Sequence, residues 1–162
     1  MKNYLGVLLF FCGSIALLTS CAPKPTSNSG TQTSSHADME EDILSQINQY
    51  RRSKGLSALK LNNEISAEAE KHSQRMASGK VPLGHSGFSS RIQQIADHVG
   101  HISRSAENVA YGSRNAKEVV TGWINSPGHR QNIEGDFTLT GIGVASNSKG
   151  ILYFTQIFVR KG

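Results

Sequence analysis

Three short segments in the second half of the sequence carry side chains that could do chemistry: Gly84-His85-Ser86, Ala106-Glu107-Asn108-Val109, and residues 123–132. Turns bounded by Gly, Asn or Pro can bring such groups together in a cleft. Neutral imidazole is a common metal ligand and titrates near pH 6.5, so His85 and His129 suit proton transfer or divalent metal binding. Glu107 could orient an imidazole, act as a base, or be a third zinc ligand. We therefore expect one shared site.

Each of these residues also has a simpler interpretation. A lone histidine is often a surface or hydrogen-bonded structural residue, and Glu107 could form a salt bridge with a basic residue such as Arg104. No His-Glu-x-x-His or paired-cysteine motif strengthens the metal hypothesis. The pair His98 and His101 has no further ligand nearby in the sequence, which favours a solvated pair, while the helical spacing of His72 favours a hydrogen-bonded core histidine.

Two catalytic arrangements are possible in principle. Ser126, His129 and Glu107 are the residue types of a serine hydrolase, but Ser126 precedes Pro127 and lacks a Gly-x-Ser-x-Gly elbow. A metal-activated water held by His85, His129 and Glu107 is chemically better, because two histidines and a glutamate can form an open catalytic zinc site.

Residues 1–20 resemble a bacterial lipoprotein signal peptide. The apolar run from Leu5 to Leu18 is short for a membrane span and suits a signal-peptide core. The sequence Leu18-Thr19-Ser20-Cys21 resembles a lipobox, which predicts lipidation of Cys21 and membrane anchoring; the alternative is an ordinary secretory signal with an incidental cysteine. Since the other cysteine is Cys12, the folded part has no disulfide, metal thiolate or cysteine nucleophile.

The rest of the chain divides into a tether and one domain. Residues 21–37 are rich in Pro, Ser, Thr and Gly and are expected to form a flexible tether, and residues 38–162 are long enough for one domain. From Ile43 onward the chain has 15 Lys and Arg against 8 Asp and Glu, a surplus of +7. This charge suits anionic lipid, wall polymer or glycan surfaces. Nucleic acid is a poor partner, because the signal directs the chain outside and no basic run is interleaved with aromatics.

Periodicity and capping residues predict four helices, none of them long. The first covers about 39 to 54, with Asp38 and Glu41 as a capping box; the second begins after Asn62 or Asn63 and ends at Gly79. Ser89 or Ser90 caps the third. Asn115 and Glu118 open the fourth, which stops before Pro127.

The C-terminal part has the pattern of strands. Residues 140–145 and 151–159 are β-branched and aromatic runs around a polar turn, which predicts a hairpin, and residues 106–111 could add a third strand. Helices before and between antiparallel strands predict an α+β domain.

The segments together resemble the CAP superfamily of cysteine-rich secretory proteins, antigen 5 and pathogenesis-related 1, also called SCP domains, in its compact bacterial form. The resemblance runs from about Ile43 to Val159. It rests on Ile47-Asn48-Gln49-Tyr50-Arg51, residues 56–61, His85-Ser86, Glu107-Asn108-Val109-Ala110, Trp123 with Ser126-Pro127-Gly128-His129-Arg130 and Asn132-Ile133, residues 141–145, and Tyr153-Phe154-Thr155-Gln156.

The resemblance implies a three-layer α-β-α sandwich around a mainly antiparallel sheet, with a cleft lined by two histidines and two acidic residues. His85, Glu107 and His129 match three of these positions, and the histidines match the pair that binds zinc or another divalent ion in some members. The second acidic position falls on Ser126. We place Asn108 and Gln156 in the same cleft.

The family has no single settled catalytic activity, so the resemblance favours a binding module over an enzyme. The expected ligand is an envelope lipid, glycan or protein. The alternative is a metal-dependent hydrolase of peptide or cell-wall substrates, for which Glu107 and His129 are the catalytic candidates. The expected location is extracytoplasmic, lipid-anchored in the cell envelope, and on the outer membrane where the organism has one, because Ala22 follows the cysteine.

Overall fold

The structure is a computed structural model that describes residues 31–162. The signal peptide, Cys21 and the first part of the tether lie outside these residues. The described chain forms five helices and four strands, in the order α1 (Thr31–Ser53), β1 (Lys60–Leu61), α2 (Asn63–Ala77), α3 (Phe88–Val99), β2 (Ile102–Tyr111), α4 (Ala116–Asn125), α5 (Pro127–Ile133), β3 (Leu139–Ser146) and β4 (Leu152–Lys161).

The strands form one sheet in the order β1-β3-β4-β2. The β3–β4 and β4–β2 pairs are antiparallel, and the short β1 pairs with β3 in parallel. The predicted hairpin and third strand are therefore confirmed, and β1 is an addition. Because β1 is only two residues long, most of β3 is an edge. Its outward N–H groups at Ile142 and Val144 are satisfied by side chains, Ser66 Oγ and Glu40 Oε1.

Helices cover both faces of the sheet. Strand parity sends Phe154 and Phe158 of β4 toward α1 and α4, where they join the larger apolar core with Trp123. The alternate residues Ile157 and Val159 face α2 and α3 and form a smaller core. The predicted α-β-α sandwich is confirmed.

Two glycines let α2 lie directly on β3. A Cβ at Gly141 would overlap the backbone of Ile65, and a Cβ at Gly143 would overlap the backbone of Glu70. The Gly-x-Gly pattern thus serves close helix–sheet packing. Ser73 of α2 uses this proximity, since its hydroxyl lies 2.8 Å from both the Gly143 carbonyl and the Thr155 hydroxyl.

Helix boundaries follow the capping signals in two cases. Asn62 caps α2 and Asn115 caps α4, each by accepting a backbone N–H three residues later. The Asp38 capping box is wrong, because α1 begins at Thr31, inside the segment expected to be tether. The cap expected at Ser89 or Ser90 is also wrong, because Gly87 occupies that position with φ of 78°.

The expectation of four short helices is wrong in number and in length. Pro127 ends α4, and it also occupies the first turn of α5. Backbone N–H groups in a first turn make no intrahelical hydrogen bond, so the N–H that proline lacks is not needed there. Helix α1 has 23 residues. It is fixed to the far end of the domain by buried Arg51, which donates to the carbonyls of Ile133 and Gly135 at 2.6 and 2.9 Å.

Candidate functional site

Glu107 is the centre of the site. It lies in β2, and its register partner Ile157 shows that its side chain faces α2 and α3. The side chain is 1% exposed. A carboxylate removed from water to this extent needs charged or hydrogen-bonding partners, and it has two.

The first partner of Glu107 is Arg91, which projects from the inner face of α3. Its Nε donates to Oε2 at 3.0 Å, and its Nη2 lies 2.8 and 2.6 Å from the two carboxylate oxygens. Both side chains are buried, at 9% and 1% exposure. This bidentate geometry is the strong form of an arginine–carboxylate pair, so Glu107 is fixed in position. The salt bridge expected with a basic residue exists, but Arg104 is exposed and takes no part in it.

The second partner of Glu107 is His85, from the loop between α2 and α3. His85 Nδ1 lies 2.9 Å from Glu107 Oε1. A carboxylate only accepts, so Nδ1 carries the proton and Nε2 of the neutral ring is left with a free lone pair. The His85 side chain is 56% exposed. The site therefore presents an exposed imidazole whose orientation is set by a buried acid.

His129 approaches from α5, which packs beside the edge strand β2. Asn108 Nδ2 donates to the His129 carbonyl at 3.1 Å, and Asn132 Nδ2 donates to Asn108 Oδ1 at 2.8 Å and to the Glu107 carbonyl at 3.2 Å. These bonds attach α5 to β2 at the level of Glu107. They give Asn108 an architectural role next to the site.

The electrostatics link the two histidines. Partial burial lowers the pKa of His129 below its ordinary value of 6.5, and the nearby His85 lowers it further. His129 is therefore neutral at pH 7 and its ring has a nitrogen lone pair to offer. His85 therefore contributes to the electrostatic environment of His129, and their sharing of one site stays a prediction.

Two predicted cleft residues do not join this cluster. Gln156 pairs with Asn108 and with Ile142, so it faces the α1–α4 side of the sheet, opposite to Glu107. It is fully buried, and its Nε2 donates to Thr140 Oγ1 at 3.2 Å. Ser126 lies between α4 and α5, and its hydroxyl makes no capping bond there; in the described chain it also has no hydrogen bond to Glu107 or His129. Nothing in this geometry forms a Ser-His-Glu triad.

Arg91 is the residue that sequence reasoning missed. It lies 16 residues before Glu107 and on a different element, so no local motif connects them. The available signal was its position four residues before Ile95, on the same buried stripe of α3. An arginine on a buried stripe needs an acid, and Glu107 was the acid in apolar surroundings.

Two further histidines, His72 and His98, match their simpler interpretations. His72 is 1% exposed and its Nε2 lies 2.7 Å from the Gly84 carbonyl, which confirms a hydrogen-bonded core histidine. This bond also fixes the loop that carries His85. His98 is 62% exposed with only Glu64 Oε2 at 4.0 Å, in keeping with a solvated side chain.

His85 and His129 are the two residues of this cluster that could hold a metal ion. Glu107 is occupied by Arg91 and His85, so it serves to orient His85, as acids commonly do for metal-binding histidines, and is not itself a ligand. In residues 31–162 no group of three or more His, Cys, Asp or Glu side chains is placed to share a metal ion. A bound divalent ion would take His85 Nε2 and His129 and complete its coordination with water or ligand atoms.

The fold class is thus an α-β-α sandwich with a candidate site at Glu107 and His85 on the edge of the sheet, beside the helix that carries His129. The sequence matches the family model of the cysteine-rich secretory protein family, CAP, over residues 44–158. The chain belongs to this family. No helix among residues 31–162 has both the length and the apolar character needed to span a bilayer.

Two curated relatives come from Bacillus subtilis. YkwD is 29% identical over 148 residues, which are 88% of this chain and 56% of that protein. The membrane protein YlbC is 30% identical over 127 residues, 75% of this chain and 34% of that protein. The chain therefore spans about half of one relative and a third of the other.

Solved structures agree in fold. An outer surface protein from Borrelia burgdorferi has a TM-score of 0.67 at 22% identity, covering 77% of this chain and 96% of that one. An extracellular protein containing an SCP domain from Bacillus anthracis has a TM-score of 0.66 at 25% identity, covering 78% of this chain and 41% of that one.

Proposed function

We propose that this protein is a lipid-anchored, extracytoplasmic CAP protein that binds an envelope lipid, glycan or protein through the cleft between His85 and His129. The observation that carries the proposal is the Arg91–Glu107–His85 chain of contacts. A buried ion pair here serves to orient a single exposed imidazole. Such an arrangement suits a ring that must meet a ligand or metal in a defined direction.

A divalent metal, zinc or another, is the proposed cofactor of this cleft. When bound, it would supply a Lewis-acidic point to which an oxygen of the ligand could coordinate. The chain's own residues provide the rest: Glu107 holds the proton on His85 Nδ1, Arg91 holds Glu107, and Asn108 and Asn132 fix the helix of His129.

The hydrolase alternative is less well supported by the same geometry. Glu107 accepts from Arg91 and His85 through both oxygens, so it has no uncommitted position from which to activate water. Of the two catalytic candidates only His129, with its lowered pKa, is left as a base.

Anchoring at Cys21 rests on the lipobox, and two comparisons support a location outside the cytoplasm. One structural neighbour is an extracellular protein, and one relative is a membrane protein. We propose that the domain of this chain is held outside the membrane by its N-terminal lipid.

Zinc titration of the full-length protein by calorimetry tests the cleft. The wild type should bind with saturable heat, and the His85→Ala/His129→Ala variant should lose that heat. The matched control is His98→Ala/His101→Ala, which removes two exposed imidazoles elsewhere and should titrate like the wild type. Equal heats for wild type and the cleft variant would refute the metal site.

The ligand is tested with defined probes, namely isolated peptidoglycan fragments and vesicles of phosphatidylglycerol. We expect the wild type to retain one of them and the cleft variant to release it. Wild-type retention by the cleft variant would remove the cleft from the explanation. Metal-dependent cleavage of the fragments would replace the binding function with the hydrolase.

Lipidation is tested by labelling with a radioactive fatty acid in a bacterial host. Cys21→Ala should abolish the label, whereas Cys12→Ala, a cysteine inside the signal core, should keep it. If both variants keep the label, or if both lose it, the prediction that Cys21 is the lipidated residue is wrong.

A further inference from the structure

A cavity lies between α2 and α3, apart from the proposed histidine cleft. It has a volume of about 720 Å³, within the range of about 300–1,000 Å³ that ligand sites occupy. Its lining includes neither His85, Glu107 nor His129. Arg91 separates the cavity from the candidate site, because it contacts Glu107 on one side and lines the cavity on the other.

The walls of this cavity are the facing polar stripes of two helices. On α2 the lining residues recur at helical spacing beside the apolar stripe that packs on the sheet, and on α3 they recur in the same way. The principal lining residues of α2 and the turn after it are Glu68, Lys71, Arg75 and Ser78, and those of α3 are Ser90, Arg91 and Gln94. Two helices that meet across polar stripes leave a groove that water or a polar ligand must fill.

The groove has an excess of positive charge. Four cations line it against the single acid Glu68, which Lys71 Nζ contacts at 2.6 Å. Arg91 is neutralised by Glu107. Arg75 and Lys80 remain, and neither has an ion pair in residues 31–162. Two uncompensated cations on one wall attract an anion.

The two residues that carry these cations are brought together by the backbone of the turn after α2. The turn after α2 folds back on the Arg75 carbonyl, which accepts from the Lys80 and Val81 N–H groups at 2.9 and 3.3 Å. Gly79, with φ of 72°, makes that reversal possible. The backbone positions of Arg75 and Lys80 are therefore fixed relative to each other by the turn.

The opposite wall offers hydrogen bonds in place of charge. The side chains of Ser86, Ser90 and Gln94 line the cavity and make no hydrogen bond within residues 31–162. A hydroxyl and an amide can each donate and accept. A ligand that fits both walls has negative groups on one side and hydroxyl groups on the other.

We propose that the α2–α3 groove binds a segment of an acidic glycan, a sugar polymer with carboxylate or phosphate groups. Arg75 and Lys80 hold the anionic group, and Ser90 and Gln94 hydrogen-bond to the sugar hydroxyls. This site adds to the histidine cleft and does not depend on a metal.

Binding of polygalacturonate to the full-length protein tests the proposal, with neutral dextran and inorganic tripolyphosphate as comparison probes. Polygalacturonate should bind and dextran should not. Arg75→Gln/Lys80→Gln should weaken polygalacturonate binding by about tenfold or more, as expected for losing charged hydrogen bonds. The matched control Arg52→Gln/Lys149→Gln removes one arginine and one lysine, both exposed and outside the groove, and should change binding by less than about twofold.

The α3 wall is tested separately. Ser90→Ala/Gln94→Ala should weaken polygalacturonate binding by about threefold or more and leave tripolyphosphate binding unchanged, because tripolyphosphate has no sugar hydroxyls. Equal losses in the groove and control variants would show that only general charge is at work and would overturn the proposal. Absence of polygalacturonate binding, or an α3 variant that binds polygalacturonate as tightly as the wild type, would also overturn it.

Discussion

The two faces of the sheet are built differently. On the α1–α4 face, large side chains such as Trp123, Phe154 and Phe158 are fully buried in one continuous core. On the α2–α3 face the apolar cluster is small, and a buried ion pair, a buried histidine and a polar groove lie beside it. The first face supplies most of the hydrophobic stability, and the second holds the candidate site.

Adjacent residues of β2 show how sharply the faces are separated. Glu107 points to the α2–α3 face and organises His85, whereas Asn108 points to the other face and attaches α5. A single strand therefore places the acid and supports the second histidine at the same time.

The largest effect is expected on the apolar face. Phe154→Ala should lower the free energy of unfolding by about 3–5 kcal/mol, because Phe154 is 0% exposed and leaves a cavity. Urea denaturation followed by circular dichroism measures this. The exposed Leu83→Ala should change the value by less than about 0.5 kcal/mol. A loss below about 1 kcal/mol for Phe154→Ala would contradict the assignment of this face as the main core.

On the α2–α3 face, the Arg91–Glu107 ion pair should have the largest effect on stability. Glu107→Gln leaves the Arg91 charge buried without a counter-charge and should cost about 3 kcal/mol of the free energy of unfolding. Adding Arg91→Met should recover part of that loss, because the unpaired charge is removed. The exposed Arg104→Gln is the matched control and should be nearly neutral. Additive losses in the double variant would show that the two side chains are not coupled.

Close packing of α2 on β3 gives a third comparison. Gly143→Ala should destabilise the protein by about 1–3 kcal/mol, because the new Cβ overlaps the Glu70 backbone and α2 must move. Gly128→Ala is the control, since a Cβ there has nothing within 4 Å. Thermal denaturation of both variants checks the prediction, and equal melting temperatures would refute direct helix–strand packing.

The smallest effect concerns a carboxylate that reaches β3 at its open edge. Burial raises the pKa of Glu40 from 4.5 to about 7. The hydrogen bond from the Val144 N–H lowers this pKa, and the nearby charge of Glu70 raises it, both by less than burial does. Between these pH values the folded chain binds more protons than the unfolded chain, so stability falls as pH rises.

Glu40→Gln should therefore stabilise the protein by about 1–2 kcal/mol at pH 8, where Glu40 is ionised. This value is reduced because the side chain is partly exposed. At pH 4 the substitution should have almost no effect. Denaturant titrations at the two pH values measure the difference. An equal effect at both values would show that Glu40 does not titrate in this range.

Sequence patterns predict the features whose determinants are local. Asn62 and Asn115 cap helices through bonds three residues away, and the strand runs around 140–159 have a clear composition. The family motifs also single out His85 and Glu107, whose side chains lie 2.9 Å apart in the structure. These features depend on residues that are close in the chain or on a pattern repeated across a family.

The missed features depend on pairing between distant elements. The motif of Gln156 suggests a place in the cleft, but its face of the sheet is decided by a register with Asn108 that the sequence does not display. Arg91 escapes prediction for the same reason. Pro127 predicts a helix stop, although a proline can equally begin the next helix.

The two glycines of β3 also determine where this side of the molecule can change. Because α2 rests on the strand backbone at Gly141 and Gly143, a larger residue there displaces the whole helix. Substitutions in β3 are therefore poorly suited to changing ligand preference. Helix α3 and the loop of residues 78–87 can be substituted more freely. A library built to redirect binding should randomise that segment and keep the strand unchanged.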